Sequence, residues 1–407
     1  MPVAHDAASN LVVVGSATKR WLSVLFVIAI YFLIAFGRII NSFNKLASDP
    51  SYDFVDEIYR LGLKSFVSGS EGYIQIGPRF IAYIAHLFPV QNQAIVLSVL
   101  TTLIFALLAF AIDRAISMQT NSRMLGFLCG LCLIVVPAAA ESTSGNHGSV
   151  KWSIVVATSV VFSSSKFVAR YSRPSIGLAA LAILCSPLAI LALSPLYIQL
   201  FQLRLRAPKH VVTTSIIGIA LTSIQFLYWL FSGRGAQIYG GDIQYRPWDG
   251  MGQFWWSIIL TPPIFIIGSL VFVSLAWKAL KGFPVQHIFF LGLSASLITV
   301  SSYITTGIKD STAVAWQSLS WILSLLVLYA VFSKAGIKTL NVIIFLAAAF
   351  FFGRSIEKWY SASWYLTDAQ VWSLLVQEAS INCEQSGERS VSIELLLSTV
   401  EMPCNRL

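Results

Sequence analysis

The chain has 407 residues, 56% of them hydrophobic and 11% charged, with a formal net charge of +9. A water-soluble domain carries about 25% charged residues, so this composition excludes an ordinary soluble enzyme and calls for lipid as the main solvent. The positive charge does not point to nucleic acid, because the Lys and Arg residues are scattered at the ends of apolar runs, where membrane-flanking charges sit.

From the N terminus, residues 1–18 lack the layout of a cleavable signal. The basic pair Lys19 and Arg20 leads into an apolar run, 21–37, which is expected to be a retained first span. Further apolar runs lie at 94–112, 125–140, 152–165, 174–187, 188–203, 211–231, 254–277, 287–306, 316–331 and 340–352. The stretch 176–203 is read as a tight pair broken at Cys185-Ser186-Pro187 and Ser194-Pro195, because proline removes a helix hydrogen bond. The expected fold is therefore all-α, a polytopic transmembrane helical bundle of about eleven spans. It occupies residues 1–352, including an acidic loop at 38–93, and is followed by a short extracytoplasmic tail at 353–407.

Alternate loops hold Lys19, Arg20, Arg114, Arg123, Lys166, Arg170, Arg173, Arg204, Arg206, Lys209, Lys278, Lys281, Lys334 and Lys338, with Asp6 and Asp113 as their acids. The positive-inside rule places these loops and the N terminus in the cytoplasm and the C terminus outside. Cys129 and Cys132 sit inside an apolar run and read as small buried hydrophobes rather than metal ligands. Cys383 and Cys404 fall in the outside tail, where an oxidising compartment permits them to close a loop of about 20 residues.

Polar chemistry gathers in the outside segments. Asp49-Pro50 reads as a turn or helix start. Asp53, Asp56 and Glu57 follow at three- and four-residue spacing, so a helix beginning near Pro50 presents all three on one side. Such a cluster is either a solvated face, a means of raising one carboxylate's pKa, or a seat for a divalent cation. Glycines on both sides of Glu71 let the backbone turn closely before Tyr73. Arg79 and His86 fall in 78–88, a stretch long enough for an interfacial helix, where Arg79 either snorkels or holds a phosphate. Glu141, Asn146, His147 and Lys151 bring acid, amide, imidazole and ammonium to the same surface, a set suited to a sugar and its phosphate. His147 has no HExxH partner and does not read as a metal ligand. Asp242, Arg246, Trp248 and Asp249 add charge and an aromatic face for carbohydrate stacking, although Trp248 serves equally well as an interface anchor.

On the acidic first loop and the segments EGYIQIGPRFIAYIAHLFP, ESTSGNHGSVKW, ILCSPLAILALSPLYIQLFQLRLR, VVTTSIIGIALTSIQFL and CEQSGERSVSIELLLSTVEMPC, the chain resembles bacterial polytopic membrane proteins related to the GT-C glycosyltransferases. The resemblance implies a multi-pass protein of the bacterial cytoplasmic (inner) membrane. Its partners would be a polyprenyl-phosphate-linked sugar, a glycan or lipid acceptor and bilayer lipids, with no nucleic acid. It also implies a first-loop carboxylate as base, which makes Asp53, Asp56 and Glu57 the catalytic candidates. The substrate-binding candidates are Asp49, Glu71, Tyr73, Arg79, Glu141, Asn146, His147, Lys151, Asp242 and Arg246. The cofactor is left open, with a divalent cation admitted. A polymerase or assembly factor for lipid-linked saccharides, and a flippase or transporter, stay open beside the transferase. The scarcity of acids within the spans disfavours proton-coupled transport.

Overall fold

The structure, a computed structural model, describes residues 4–40, 44–46, 51–67, 73–135, 150–203, 207–231, 371–387, 389–395 and 398–407, with isolated positions between 288 and 349. In chain order the helices are α1 (Ala4–Ile39), α2 (Ser51–Leu61), α3 (Ile76–His86), α4 (Gln93–Thr120), α5 (Arg123–Val135), α6 (Val150–Ser163), α7 (Ser165–Arg170), α8 (Ser172–Cys185), α9 (Ala189–Ala192), α10 (Ser194–Leu203), α11 (Lys209–Phe231) and α12 (Trp372–Ser386). A 3-10 turn, Gly62–Val67, follows α2, and another, Val90–Asn92, leads into α4.

Among the described residues, Val90–Thr120 and Lys209–Tyr228 are long and apolar enough to cross a membrane, and Trp21–Gly37, Arg123–Val135, Val150–Ser163 and Ser172–Cys185 are shorter apolar helices. Apolar helices thus lie at 21–37, 94–112, 152–165, 174–187 and 211–231 and over the first part of 125–140 of the expected series, whereas the expected span 188–203 is instead two short helices, Ala189–Ala192 and Ser194–Leu203. The expected span at 254–277 and most of 287–352 lie outside the described residues, as does the outside segment 233–253. At 1.5 Å per residue, Arg123–Val135, Val150–Ser163 and Ser172–Cys185 cover only about 20 Å each, less than the roughly 30 Å of a hydrocarbon layer, whereas Trp21–Gly37 is part of the longer α1.

α4 is the central element and packs along α1, α5 and α6. Every residue of α6 is buried. Three of its hydroxyls are satisfied within the helix: Thr158 donates to the Ile154 carbonyl at 2.7 Å, Ser159 to Val155 at 3.0 Å and Ser163 to Val160 at 2.7 Å, while the buried Ser153 hydroxyl has no hydrogen-bond partner among the described residues. Back-bonding of this kind lets polar residues sit in an apolar interior without an orphaned group. Between α4 and α5, Gly126 and Gly130 lie four residues apart and form a small-residue face. A side chain at Gly130 would collide with the Tyr31 hydroxyl and come within 2.7 Å of the Ala109 carbonyl, and one at Gly126 would meet Ser117 and Asp113. The turn between these helices is made by Asn121 in the left-handed region, a conformation that asparagine tolerates.

α8 stops where Ser186 becomes extended ahead of Pro187, as the residue before a proline tends to do. The break expected at Cys185-Ser186-Pro187 is therefore present, and the short α9 and α10 follow it.

The tail departs from the all-α expectation. After α12 the chain forms an antiparallel hairpin of β1 (Ser390–Leu395) and β2 (Ser398–Pro403), registered from Ser390 opposite Pro403 to Leu395 opposite Ser398. The physical reason is a period of two: Val391, Ile393 and Leu395 alternate with Ser390, Ser392 and Glu394, and Ile393 is buried. Cys383 and Cys404 are disulfide-bonded across 21 residues and join the helix to the far end of the hairpin.

The tail packs on the first loop. Val371 makes an isolated antiparallel bridge to Lys45, and the Trp372 N–H donates to the Asn44 carbonyl at 2.9 Å. The buried Trp372 indole donates to the Val90 carbonyl at 2.7 Å.

Replacing Gly130 with Val is expected to overpack the α4–α5 contact and destabilise the protein by about 1–3 kcal/mol. Thermal unfolding of the detergent-solubilised variant, compared with wild type, measures this.

Candidate functional site

α2 is amphipathic. Phe54 and Ile58, one turn apart, are buried in the core, while Arg60 is exposed. Its two described acids go different ways. Glu57 turns inward and its Oε2 accepts from Arg79 Nε at 3.1 Å and Nη2 at 2.8 Å. The Arg79 guanidinium also lies over the Phe54 ring at 5.2 Å. Arg79 is 0% exposed, so it neither snorkels nor lies open at an interface; it is held inside by the α2 carboxylate. Asp56 turns toward the tail: Oδ2 pairs with Arg60 at 2.6 Å and Oδ1 accepts from the Glu401 backbone N–H at 3.1 Å. The expected helix is present, but Asp56 and Glu57 do not share one side: adjacent positions on a helix point about 100° apart, and that rotation sends the two carboxylates to different partners.

A second polar cluster sits where α6 begins. Lys151 Nζ donates to the Tyr73 hydroxyl at 3.2 Å and to Gln75 Oε1 at 3.3 Å, and lies within 5.7 Å of the Tyr73 ring centre and 5.9 Å of that of Trp152. Gln75 immediately precedes α3, and its carbonyl accepts from the Arg79 N–H at 3.5 Å. The two clusters are thus one helical turn apart. Gln225 of α11 secures the same segment: its Oε1 accepts from the Ile74 N–H at 2.9 Å, and its Nε2 donates to the carbonyls of Ile74 at 3.0 Å and Ile183 at 2.9 Å. The Gly77 N–H meets Cys185 Sγ at 3.3 Å, and a Cβ there would stand 2.6 Å from that sulfur, which only glycine avoids. Gln75 Nε2 and Trp152 Nε1 are buried donors with no hydrogen-bond partner among the described residues.

At the rim, Tyr59 donates to Gln93 Oε1 at 2.8 Å. Burial pushes its hydroxyl pKa up to about 12, against the lowering effect of Gln93 and Arg406. His86 stands edge-on to the Tyr59 ring, with centroids 4.7 Å apart, and its Nε2 lies 3.1 Å from Arg406 Nη2 of the tail. Burial lowers the His86 pKa, and the positive Arg406 lowers it further.

Of the candidates read from the sequence, Tyr73, Lys151, Arg79, Asp56 and Glu57 are brought to one end of the helical bundle, the end covered by the tail. Asp53 lies in the first turn of α2, but its side chain is outside the described ones; Asp49, Glu71, Glu141, Asn146, His147, Asp242 and Arg246 lie outside the described residues. Among the described residues, no group of three or more His, Cys, Asp or Glu side chains assembles that could hold a metal ion. Sequence reasoning did not single out Gln75, Cys185 or Gln225. For Gln225 a signal existed, since an amide inside an apolar run seeks a buried partner.

No family model matches the chain. No curated protein matches it. Among solved structures it is similar to the crystal structure of the Archaeoglobus fulgidus oligosaccharyltransferase in complex with zinc and sulfate, with 12% identity and a TM-score of 0.47 over 89% of this chain and 56% of that one. The chain therefore spans little more than half the length of that protein.

Arg79→Ala leaves Glu57 buried beside an apolar wall and is expected to destabilise the protein by about 3–5 kcal/mol, whereas Glu57→Leu with Arg79→Met is expected to be far milder. Thermal unfolding of the two variants separates these outcomes. For His86, a folded pKa below the ordinary 6.5 means that its contribution to stability is present above that value and is lost as pH falls through the folded pKa. Protease sensitivity of the tail is accordingly expected to rise between about pH 7 and about pH 5 in wild type and to stay flatter in His86→Phe.

Proposed function

We propose that the chain is a membrane glycosyltransferase that moves a sugar from a polyprenyl-phosphate-linked donor to a cell-envelope glycan or lipid acceptor on the outer face of a bacterial cytoplasmic membrane. The observation that carries the reading is the joining of two polar clusters through the first turn of α3, at one end of an apolar bundle. The Glu57–Arg79 pair lies on one side and Lys151 with Tyr73 and Gln75 on the other. An isoprenoid tail beside such a bundle stays in lipid while its phosphate reaches the polar end, so little apolar surface moves into water. The contact between tail and first loop supports placing both on the outer face, and it agrees with an odd number of spans such as eleven.

In this reading a carboxylate of α2 takes the proton of the acceptor hydroxyl as its oxygen bonds to the anomeric carbon. The bond from that carbon to the phosphate oxygen breaks, and the lipid phosphate leaves as an anion. Both Asp56 oxygens are engaged and Glu57 is bound to Arg79, so the base is Asp53, one turn earlier on the same helix. Lys151, held by Tyr73, meets the leaving phosphate with a charge-assisted hydrogen bond. Asp49, Asn146 and His147 bind the donor sugar, Glu71 and Glu141 orient its hydroxyls or a divalent cation, and Asp242 and Arg246 contact the acceptor.

Asp53→Asn is expected to lower transfer by about 10² to 10⁴ in proteoliposomes supplied with the lipid-linked sugar pool of the native membrane. Full activity in that variant removes Asp53 as base. Movement of the labelled lipid across the bilayer without covalent transfer rejects the transferase in favour of a flippase.

A further inference from the structure

We infer that the disulfide-closed tail is a strap that sets the orientation of the acidic helix, and that Asp56 is the positioning residue through which it acts. Four contacts distribute the tail over the first loop. Val371 and Trp372 hold the segment 44–46. The Trp372 indole holds Val90 ahead of α4. The Glu401 N–H holds Asp56, and Arg406 meets His86 at the end of α3. The bond between Cys383 and Cys404 ties the first two attachments to the last two, since it links α12 to the residue after β2.

α2 needs such support. It has 11 residues, fewer than the roughly 12–15 at which an isolated helix becomes even marginally stable, so its geometry comes from what it packs against. Those neighbours are α3 on one side and β2 on the other. β2 belongs to a two-stranded sheet, so its outer edge would present bare N–H groups; one of them, that of Glu401, is capped by the Asp56 carboxylate. Asp56 serves this edge with Oδ1 and binds Arg60 with Oδ2, an arrangement that anchors the helix and leaves neither oxygen for a substrate proton. The strap fixes how α2 sits on α3. The consequence for turnover rests on the transferase reading; the mechanical coupling does not.

The test measures amide hydrogen exchange across 51–61 in the full chain in lipid nanodiscs, with α4 as internal reference. Glu401→Pro deletes the single N–H donor at an outward-facing edge position, where proline is tolerated. Exchange in 51–61 is expected to rise about tenfold in Glu401→Pro, in Asp56→Ala and in the double variant Cys383→Ser with Cys404→Ser, with α4 unchanged. Asp56→Asn keeps an oxygen acceptor for the Glu401 N–H and is expected to stay within about twofold of wild type. In transfer assays with the native lipid-linked sugar pool, Glu401→Pro is expected to lower kcat about tenfold with KM little changed, and the pH profile of Asp56→Asn to overlay that of wild type. Unchanged exchange in Glu401→Pro and the cysteine double variant overturns the strap, whatever the reaction. A matching rise in α4 also overturns it, because the tail would then stabilise the whole chain rather than one helix. Loss of about 10² or more in Asp56→Asn with unchanged exchange overturns the positioning role and makes Asp56 the base.

Discussion

Inside an apolar bundle a charge survives only when another charge meets it, and the buried pair of Glu57 with Arg79 is the place where that constraint organises this protein. Desolvating a guanidinium and a carboxylate costs several kcal/mol each unless geometry returns it, here through two hydrogen bonds to one oxygen and the face of Phe54. The pair locks α2 to α3. Because Arg79 sits one turn into α3, it also fixes α2 relative to everything that holds that turn.

What holds that turn is a polar set rising from the apolar helices. Gln225 reads both polar groups of the Ile74 peptide and a carbonyl of α8, Gly77 leans on Cys185, and Lys151 closes the segment from α6 through the Gln75 side chain. Three elements of the bundle therefore converge on Ile74, Gln75 and Gly77. Along α6 the logic differs: the hydroxyls of Thr158, Ser159 and Ser163 bond back to their own helix, so these polar atoms sit in the core without linking it to its neighbours. Polar connectivity is concentrated at the end where the first loop and the tail meet.

Parts of the site were legible in the residues. The spacing of Asp53, Asp56 and Glu57 announced a short acidic helix, and α2 is that helix. Tyr73 and Lys151, separated by 78 positions, were grouped by the surface they were expected to share, and they bond directly. The destination of each charge was not legible. Arg79 read as an interfacial residue because its neighbours are those of an amphipathic stretch, whereas its burial depends on where α2 lands, which local pattern does not encode. The hairpin of the tail was missed because an alternation over six residues is a weak signal beside long helical runs.

Composition and periodicity determined the apolar helices and the proline break after Cys185, since each is a property of neighbours along the chain. The sequence also placed Cys383 and Cys404 where they could pair. Tertiary structure alone decided that they do, that Asp56 faces the tail while Glu57 faces Arg79, and that α12 and the hairpin cover the first loop. The reason is physical: these contacts join positions 21, 22 and as many as 345 residues apart, and their energies depend on distances that exist only once the intervening elements have packed.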